Sequence, residues 1–444
     1  MTQAVSQSFL LIGESNLARH LTALLARDGH TTTVLAIPDD ATLRDALQAE
    51  TYDGIAVVTH DDVVALRYAL TAAHYVPHIP LIVTMFDHTV AARLRAVLPH
   101  CVATSPADIA APVLAGACLG ENLLAITGAG QGVEAVMADD CSATRTVVHG
   151  LPSRSRLQAA LVYATGLLRT HDRGTRMLLL GLLGVVAIIL ADWAWLVLAE
   201  HHDAATGLLE AVRVVTTVGP AVEGHGLYAV VSAAAMMITV LLTAMVTAGF
   251  VDRILSPRLV GLIGPRVLPR SGHVIVIGLG QVGLRLCREL VDLGIDVVGV
   301  ERNPAAPNLR LVRALRIPAV VVGHGEDRRL LQRLGAHRAR AVAVVGSDDL
   351  DNIAAAIAAQ AAAPDTRIVL RAGEHATFAE TRTLLPLGIV RNVALISAAY
   401  VVARLTGQRP TSVAANGRHV WIESPRGIFT KTVCDNVIAD PVPK

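Results

Sequence analysis

The chain has 444 residues, 53% of them hydrophobic, 17% charged and only 3% aromatic, with a formal net charge of +1. That length exceeds one core of ordinary size, so several domains are expected, and the near-neutral charge gives no support to a nucleic-acid partner. Cysteines at 101, 118, 141, 287 and 434 form neither a C-x-x-C pair nor a metal-ligand cluster, so they read as buried reduced thiols.

The first residues, MTQAVSQSFLLIGES, lack a basic region followed by a long apolar core, so they make a poor signal peptide. From residue 9, FLLIGESNLARHLTALLARDGHTTTVLAI predicts strand, turn, helix and strand, with Gly13 in the turn and Gly29 stopping the helix. DGIAVVTHDD (53–62) predicts a further strand leading into an acidic loop. An α/β domain over 7–125 is expected. Residues 126–150 are small, polar and weakly periodic; they suit a linker, drawn to 175, or short strands.

Two apolar runs follow. Residues 177–199 carry one charge, Asp192, and residues 226–251 carry none. At about 1.5 Å per residue the first helix covers roughly 35 Å, enough for a hydrocarbon layer of about 30 Å. Arg154, Arg156, Arg169, Arg173 and Arg176 precede the first run, and Arg253, Arg258, Arg266 and Arg270 follow the second. Between the runs stands only Arg213, besides histidines. Basic flanks stay cytoplasmic, so a multi-pass protein of the cell membrane with both termini inside is expected. Asp192, an intramembrane acid, is a functional candidate by default, but near the outer end it can reach interfacial water or Arg213, and a structural role is expected.

Asp203 is a plausible N-cap for a half-helix over 204–216, too short to span, which ends at Thr217-Val218-Gly219. Irregular backbone at membrane depth is tolerated where it lines a watery path, and a ring of carbonyls can replace an ion's hydration shell. The helix's negative end favours a cation. The order span, half-helix, Thr216-Thr217-Val218-Gly219, span resembles the pore module of two-span potassium channels. That resemblance implies a homotetramer around one pore, K+ as the permeant ion, and a filter of Thr216, Thr217, Val218 and Gly219. The re-entrant half-helix and filter are drawn over 204–221 and the pore module over 176–252. The family filter continues Tyr-Gly-Asp, whereas this chain has Pro220-Ala221-Val222. Ala disfavours the backbone that the second family Gly adopts, and Pro lacks an N–H. Potassium selectivity, nonselective cation passage and a nonconducting pore therefore stand as alternatives. Glu210 and Arg213, three apart, either brace the filter or pair on the helix's outer face.

A linker over 253–270 comes next. Gly249, Pro257, Gly261, Gly264 and Pro265 are candidate hinges in and beside it, or simply a connecting loop. GHVIVIGLGQVGLRLCRELVDLGIDVVGVERNP (272–304) then gives a strand, the G-x-G-x-x-G of Gly278, Gly280 and Gly283, an amphipathic helix stopped at Gly294, and a strand ending at Glu301. Gly278 makes the tight turn, Gly280 admits a pyrophosphate, Gly283 lets helix and strand approach, and Glu301 can bind a ribose hydroxyl. RAVAVVGSDDLDNIAAAIAAQ (340–360) places Asp348 at a strand's C-terminal end, where it either meets ligand or caps the helix. This run, over 271–405, resembles the regulator-of-potassium-conductance (RCK) domain. The resemblance implies a small-molecule nucleotide as regulatory ligand, NAD(H) or an adenine nucleotide. Glu301 favours NAD over a 2′-phosphorylated form, and Arg302 beside it leaves that choice open.

Against this motif the N-terminal segment reads as a weaker repeat. Gly13 matches Gly278, Gly29 matches Gly294, and DGIAVVTHDD matches RAVAVVGSDD. Ser15 and Ala18 replace the second and third glycines, and one βα unit is missing between Gly13 and Asp61. This copy is expected to be RCK-like and mainly for assembly, with nucleotide binding open. The extension 406–444 predicts a hairpin, RHVWIESPRGIFTKTV. The expected fold is thus a membrane α-helical two-span pore flanked by two α/β Rossmann-like (RCK) domains. The expected function is a ligand-gated cation channel and not an enzyme. A nonconducting membrane-anchored nucleotide sensor and a membrane-tethered NAD-dependent oxidoreductase are the rivals; the second needs an acid/base pair that the sequence does not display.

Overall fold

The computed structural model describes residues 6–129, 132–139, 142–148, 173–216, 227–255, 268–269, 271–312, 315, 317, 319–372, 387–417 and 419–434. The chain forms two compact units, one from Met1–Ser153 with Ile263–Lys444, the other from Arg154–Leu262.

The first unit holds two Rossmann-like copies. Strands β1 (Ser8–Ile12), β2 (Thr31–Leu35), β3 (Gly54–Val57), β4 (Leu81–Thr84) and β5 (Cys101–Thr104) build an all-parallel sheet in the order β2-β1-β3-β4-β5. The apolar, buried runs of β1, β3 and β4 fit strands covered on both faces, whereas the edge strands β2, rich in Thr, and β5 are only partly covered. Helices α1 (Asn16–Arg27), α2 (Asp40–Ala49), α3 (Asp62–Tyr75) and α4 (His88–Val97) connect them, and α5 (Pro106–Leu119) follows β5. Acidic N-caps start three of these helices: Asp39, Asp61 and Asp87 each accept backbone N–H groups of the first turn.

The strand order of the second copy is β11-β10-β9-β12-β13-β14, also parallel, from β9 (Val274–Ile277), β10 (Val297–Glu301), β11 (Ala319–Val322), β12 (Ala341–Val344), β13 (Arg367–Ala372) and β14 (Ile389–Asn392). The two orders superimpose except at β11, which has no counterpart in the N-terminal sheet; this is where the shorter Gly13–Asp61 spacing loses a βα unit.

Between the membrane-length helices and this sheet the chain is described only in part. The helices that can be placed by range are α6 (Arg173–Leu198), α7 (Ala204–Val215), α8 (Leu227–Leu255), α9 (Gln281–Asp292), α10 (Leu309–Val312), α11 (Arg328–Arg333), α12 (Asp349–Ala362) and α13 (Val393–Leu405).

The two copies exchange their last helices. α5 leaves the N-terminal sheet and packs on α9 and on β12 and β13 of the other copy. α13 leaves β14 and packs on α1, β3 and β4 of the N-terminal copy. Both helices are apolar on nearly every face, as a helix covered from two sides must be. One core consequently contains Phe9, Leu11 and Leu21 from before the two long apolar helices, and Val401, Leu405 and Trp421 from after them. Each of these side chains is nearly or fully buried, and such burial stabilises by about 1.5–3 kcal/mol per residue.

A three-stranded antiparallel meander follows each exchanged helix. Residues expected to form linker or short strands make β6 (Leu123–Ala129), β7 (Gly132–Asp139) and β8 (Ser142–Val148). The C-terminal extension makes β15 (Ser412–Ala415), β16 (His419–Glu423) and β17 (Phe429–Cys434), with the predicted hairpin as its last two strands. The meanders touch through Arg145, which pairs with Glu134 of its own sheet and with buried Glu423 of the other.

In the second unit, α6 and α8 each contain a stretch long and apolar enough to cross a membrane, Leu180–Leu198 and Ala233–Val251. They pack closely because Gly181 and Gly184 have no side chain. A Cβ on Gly181 would lie 2.7 Å from Val246 Cγ2, and one on Gly184 would lie 2.8 Å from Leu242. Asp203 caps α7 through Ala205 N–H at 3.2 Å, and Trp193 Nε1 donates to Ala204 O at 2.9 Å. Glu210 and Arg213 pair at 3.3 Å. Arg213 therefore meets Glu210, whereas Asp192 Oδ2 is buried with no hydrogen-bond partner among the described residues. Thr216 follows α7, its hydroxyl donating back to Val212 O at 3.0 Å. Thr217, Val218, Gly219, Pro220 and Ala221 lie outside the described residues, as do Pro257, Gly261, Gly264 and Pro265; Gly249 is helical within α8.

Candidate functional site

The glycine turn between β9 and α9 is set by two close approaches and one open position. Gly278 takes φ +89°, and a Cβ there would meet the Gly346 backbone at 2.8 Å. A Cβ on Gly283 would lie 1.9 Å from Gly278 O, so no other residue fits that turn of α9 without moving backbone. Gly280 is different: nothing lies within 4 Å of the Cβ it lacks, so the space above it is open to a ligand. Gly280 is also the N-cap of α9 and supplies no side-chain hydrogen bond. The first N–H groups of α9 are thereby left to an incoming anion, at the positive end of the helix.

Glu301, at the end of β10, reaches this turn. Its Oε2 accepts Leu279 N–H at 2.9 Å and its Oε1 accepts Asn303 N–H at 3.0 Å. The carboxylate braces the glycine loop and keeps lone pairs for a ribose hydroxyl. Arg302 pairs with Asp351, 2.9 Å distant on α12, and both line the cavity. Asp348 caps α12 by accepting Leu350 and Asp351 N–H at 2.8 and 2.9 Å, and it also lines the cavity. The capping and ligand-facing positions proposed for it from sequence are therefore compatible.

These groups converge on a cavity of about 710 Å³ at the C-terminal ends of the strands, where open α/β sheets collect ligands. The fit to a nucleotide is good by residue chemistry: an unfilled Gly280, an unsided helix N-terminus and an acid at the neighbouring strand end. Among the described residues, no group of three His, Cys, Asp or Glu side chains could hold a metal ion.

Sequence reasoning missed two parts of the site. Asn352, 1% exposed, donates to Gly346 O at 3.1 Å and Arg371 O at 3.3 Å, holding the ends of β12 and β13 together. Its signal was a polar residue on the buried face of an Ala-rich helix. The second part is the opposite wall, which comes from the N-terminal copy: Ser15, Asn16, Thr59, His60, Asp61 and Phe86 line the same cavity. Arg285 of α9 fastens the copies beside it, bonded to Asp108 Oδ1 at 2.6 Å and to Phe86 O at 3.1 Å.

The N-terminal turn itself is differently built. Ser15 caps α1, its Oγ accepting Ala18 N–H at 3.4 Å and donating to Val58 O at 3.0 Å. The side chain thus occupies the N–H that a phosphate would take, at the position where Gly280 leaves it open.

No curated protein matches the chain in sequence. Among solved structures, the GsuK channel aligns with a TM-score of 0.50 at 14% identity, covering 91% of this chain and 65% of that one. The chain therefore spans about two thirds of the channel's length, and at that identity the likeness is one of fold. A GsuK channel bound to NAD aligns at 14% identity and a TM-score of 0.46, over 91% of this chain and 65% of that one. The NAD(P)-binding domain of an exopolyphosphatase-related protein from Archaeoglobus fulgidus aligns at 22% identity and a TM-score of 0.27, over 31% of this chain and 98% of that one. Residues 274–389, which carry Gly278, Gly280, Gly283, Glu301 and Asp348, match the TrkA-N domain family.

Proposed function

We propose that the protein is a nucleotide-gated cation channel, with potassium as its ion, controlled by its paired Rossmann-like copies. The observation that carries this reading is the order of the chain. Two helices of membrane length lie between two halves that fold into one compact unit with a shared core. Halves that share a core lie on one side of the bilayer, so the helices cross it twice and return. The arginines outside the helices support the cytoplasm as that side. Ligand in the cleft of the TrkA-N segment favours one arrangement of the halves, and both ends of the helical pair are tied to them by the chain. By resemblance, four chains surround one pore, with Thr216, Thr217, Val218 and Gly219 as the filter. The regulatory ligand is NAD(H) or an adenine nucleotide, and the cleft senses it without turning it over.

The test is cation flux into liposomes holding the purified protein, potassium against sodium, with and without NAD(H). Potassium flux that responds to nucleotide supports the reading; equal potassium and sodium flux makes the pore nonselective. Pro220 and Ala221 favour a second reading, a nonconducting membrane-anchored sensor. Absence of flux with nucleotide still bound would establish it and sink the channel.

A further inference from the structure

The cleft has two unlike walls. On the C-terminal copy, the α9 N-terminus and Glu301 suit a pyrophosphate and its adjoining ribose. A dinucleotide on such a sheet crosses the point where strand order reverses, here between β9 and β12, and lays its second nucleoside over the far strands. The N-terminal copy stands on that far side, because α5 covers β12 and β13 and α13 leaves β14 for the N-terminal sheet. Its lining residues include Asp61 and Asp62 and no lysine or arginine. Asp62 has both oxygens engaged, with Phe86 N–H at 2.9 Å and Asp87 N–H at 2.7 Å. Asp61 caps α3 with Oδ1 only; its Oδ2 takes no hydrogen bond among the described residues. The exposed carboxylate therefore gives this wall a negative field that a terminal phosphate would meet unfavourably and a cationic ring favourably.

We propose that the cleft selects the oxidised form of a nicotinamide dinucleotide, with Asp61 of the N-terminal copy as the specificity-determining residue. The inference rests on the cleft being a nucleotide site. Oxidised and reduced forms share the adenosine and the pyrophosphate and differ in the charge of the nicotinamide ring, which is positive only when oxidised. A wall that reads that charge makes the protein respond to redox state. The N-terminal copy, its own turn filled by Ser15, then acts as half of its neighbour's site.

The experiment is calorimetric titration of the full chain in detergent, wild type and Asp61→Asn, with NAD+, NADH and ADP-ribose, which lacks the ring. Asn caps helices as well as Asp, so the variant keeps the fold while losing the charge. Wild type is expected to prefer NAD+ over NADH by roughly fivefold at low salt, the effect of one charge pair at partial solvent exposure. In D61N the ratio is expected to fall to about one. Equal affinities in wild type, or an undiminished ratio in D61N, overturn the inference while bound ADP-ribose leaves the nucleotide site standing. Failure of all three ligands to bind overturns both.

Discussion

Gly280 ends its turn with no side chain and opens the start of α9, while Ser15 at the equivalent point closes the start of α1 upon itself. Gly283 is pressed against Gly278 O, while Ala18 carries a methyl group, buried at 2% exposure, at the matching place. The two copies share strand order, acidic N-caps and glycine helix stops at Gly29 and Gly294. They differ at the few atoms that decide whether an anion can approach. The comparison teaches that a duplicated fold keeps its packing through one set of residues and its chemistry through another, so one copy can lose the second without losing the first.

The sharpest way to break this comparison is to exchange the close-approach residues. Gly283→Ala is expected to cost about 4–5 kcal/mol, because the added carbon must displace backbone, and to lower nucleotide affinity at least a hundredfold. Ala18→Gly in the other copy is expected to cost only about 1 kcal/mol, the usual price of glycine in a helix, and to leave nucleotide affinity unchanged. Denaturant melts and titration calorimetry read both. Similar effects from the two changes would mean that both turns carry ligand.

Next in size is the shared core. Phe9→Ala is expected to destabilise the whole first unit by about 3–5 kcal/mol. Because Phe9 sits in one core with Leu405 and Trp421, Trp421 fluorescence and amide exchange in the C-terminal copy should report the loss in a single transition. Separate transitions for the two copies would show that the helix exchange does not couple them.

His20 sharpens the comparison at the seam. It lies on α1 with Nε2 3.4 Å from Asn392 Nδ2, and burial, helped by neighbouring Arg19, lowers its pKa from 6.5 to about 4. The fold holds the neutral imidazole, so the native state binds fewer protons than the unfolded chain between those values. Stability is full above pH 6.5 and falls as acid is added through pH 4, by roughly 2–3 kcal/mol. His20→Gln should flatten that stretch of the pH–stability curve; an unchanged curve would place the acid sensitivity elsewhere. The smallest expected effect is that of Ser15→Gly, a few tenths of a kcal/mol by loss of a cap replaced with another tolerated one. It tests whether opening the N-terminal turn alone creates a second site. One bound nucleotide per chain is expected before and after.

Much of this was legible in sequence where a single residue type has one physical reason to be there. Gly278, Gly280, Gly283 and Glu301 announced the turn, and the shortened spacing from Gly13 to Asp61 announced a missing βα unit. The meander over 123–148 was not legible as a sheet. Its alternation is weak, and its stability comes from packing on α5 and, through Arg145, on the other meander. The exchange of α5 and α13 left a trace, apolar residues on every face, that periodicity alone cannot distinguish from any buried helix. The N-terminal wall of the cleft was hidden because Asn16, His60 and Asp61 belong to a copy whose own motif is lost; only tertiary pairing brings them to the cavity.

The core shared by segments on either side of the two long apolar helices also orders events during synthesis. The N-terminal copy leaves the ribosome first, with the surface that α13 will cover still bare. At about 5–20 residues per second, the interval between Ser153 and Val393 is roughly 12–50 s. If the protein is the membrane channel proposed above, both apolar helices enter the bilayer within that interval, before the first unit is complete. In the proposed channel, completion of the shared-core unit thereby reports that the two spans have gone in and come back, since a chain inserted with only one crossing would strand the halves on opposite sides and leave each without its partner helix.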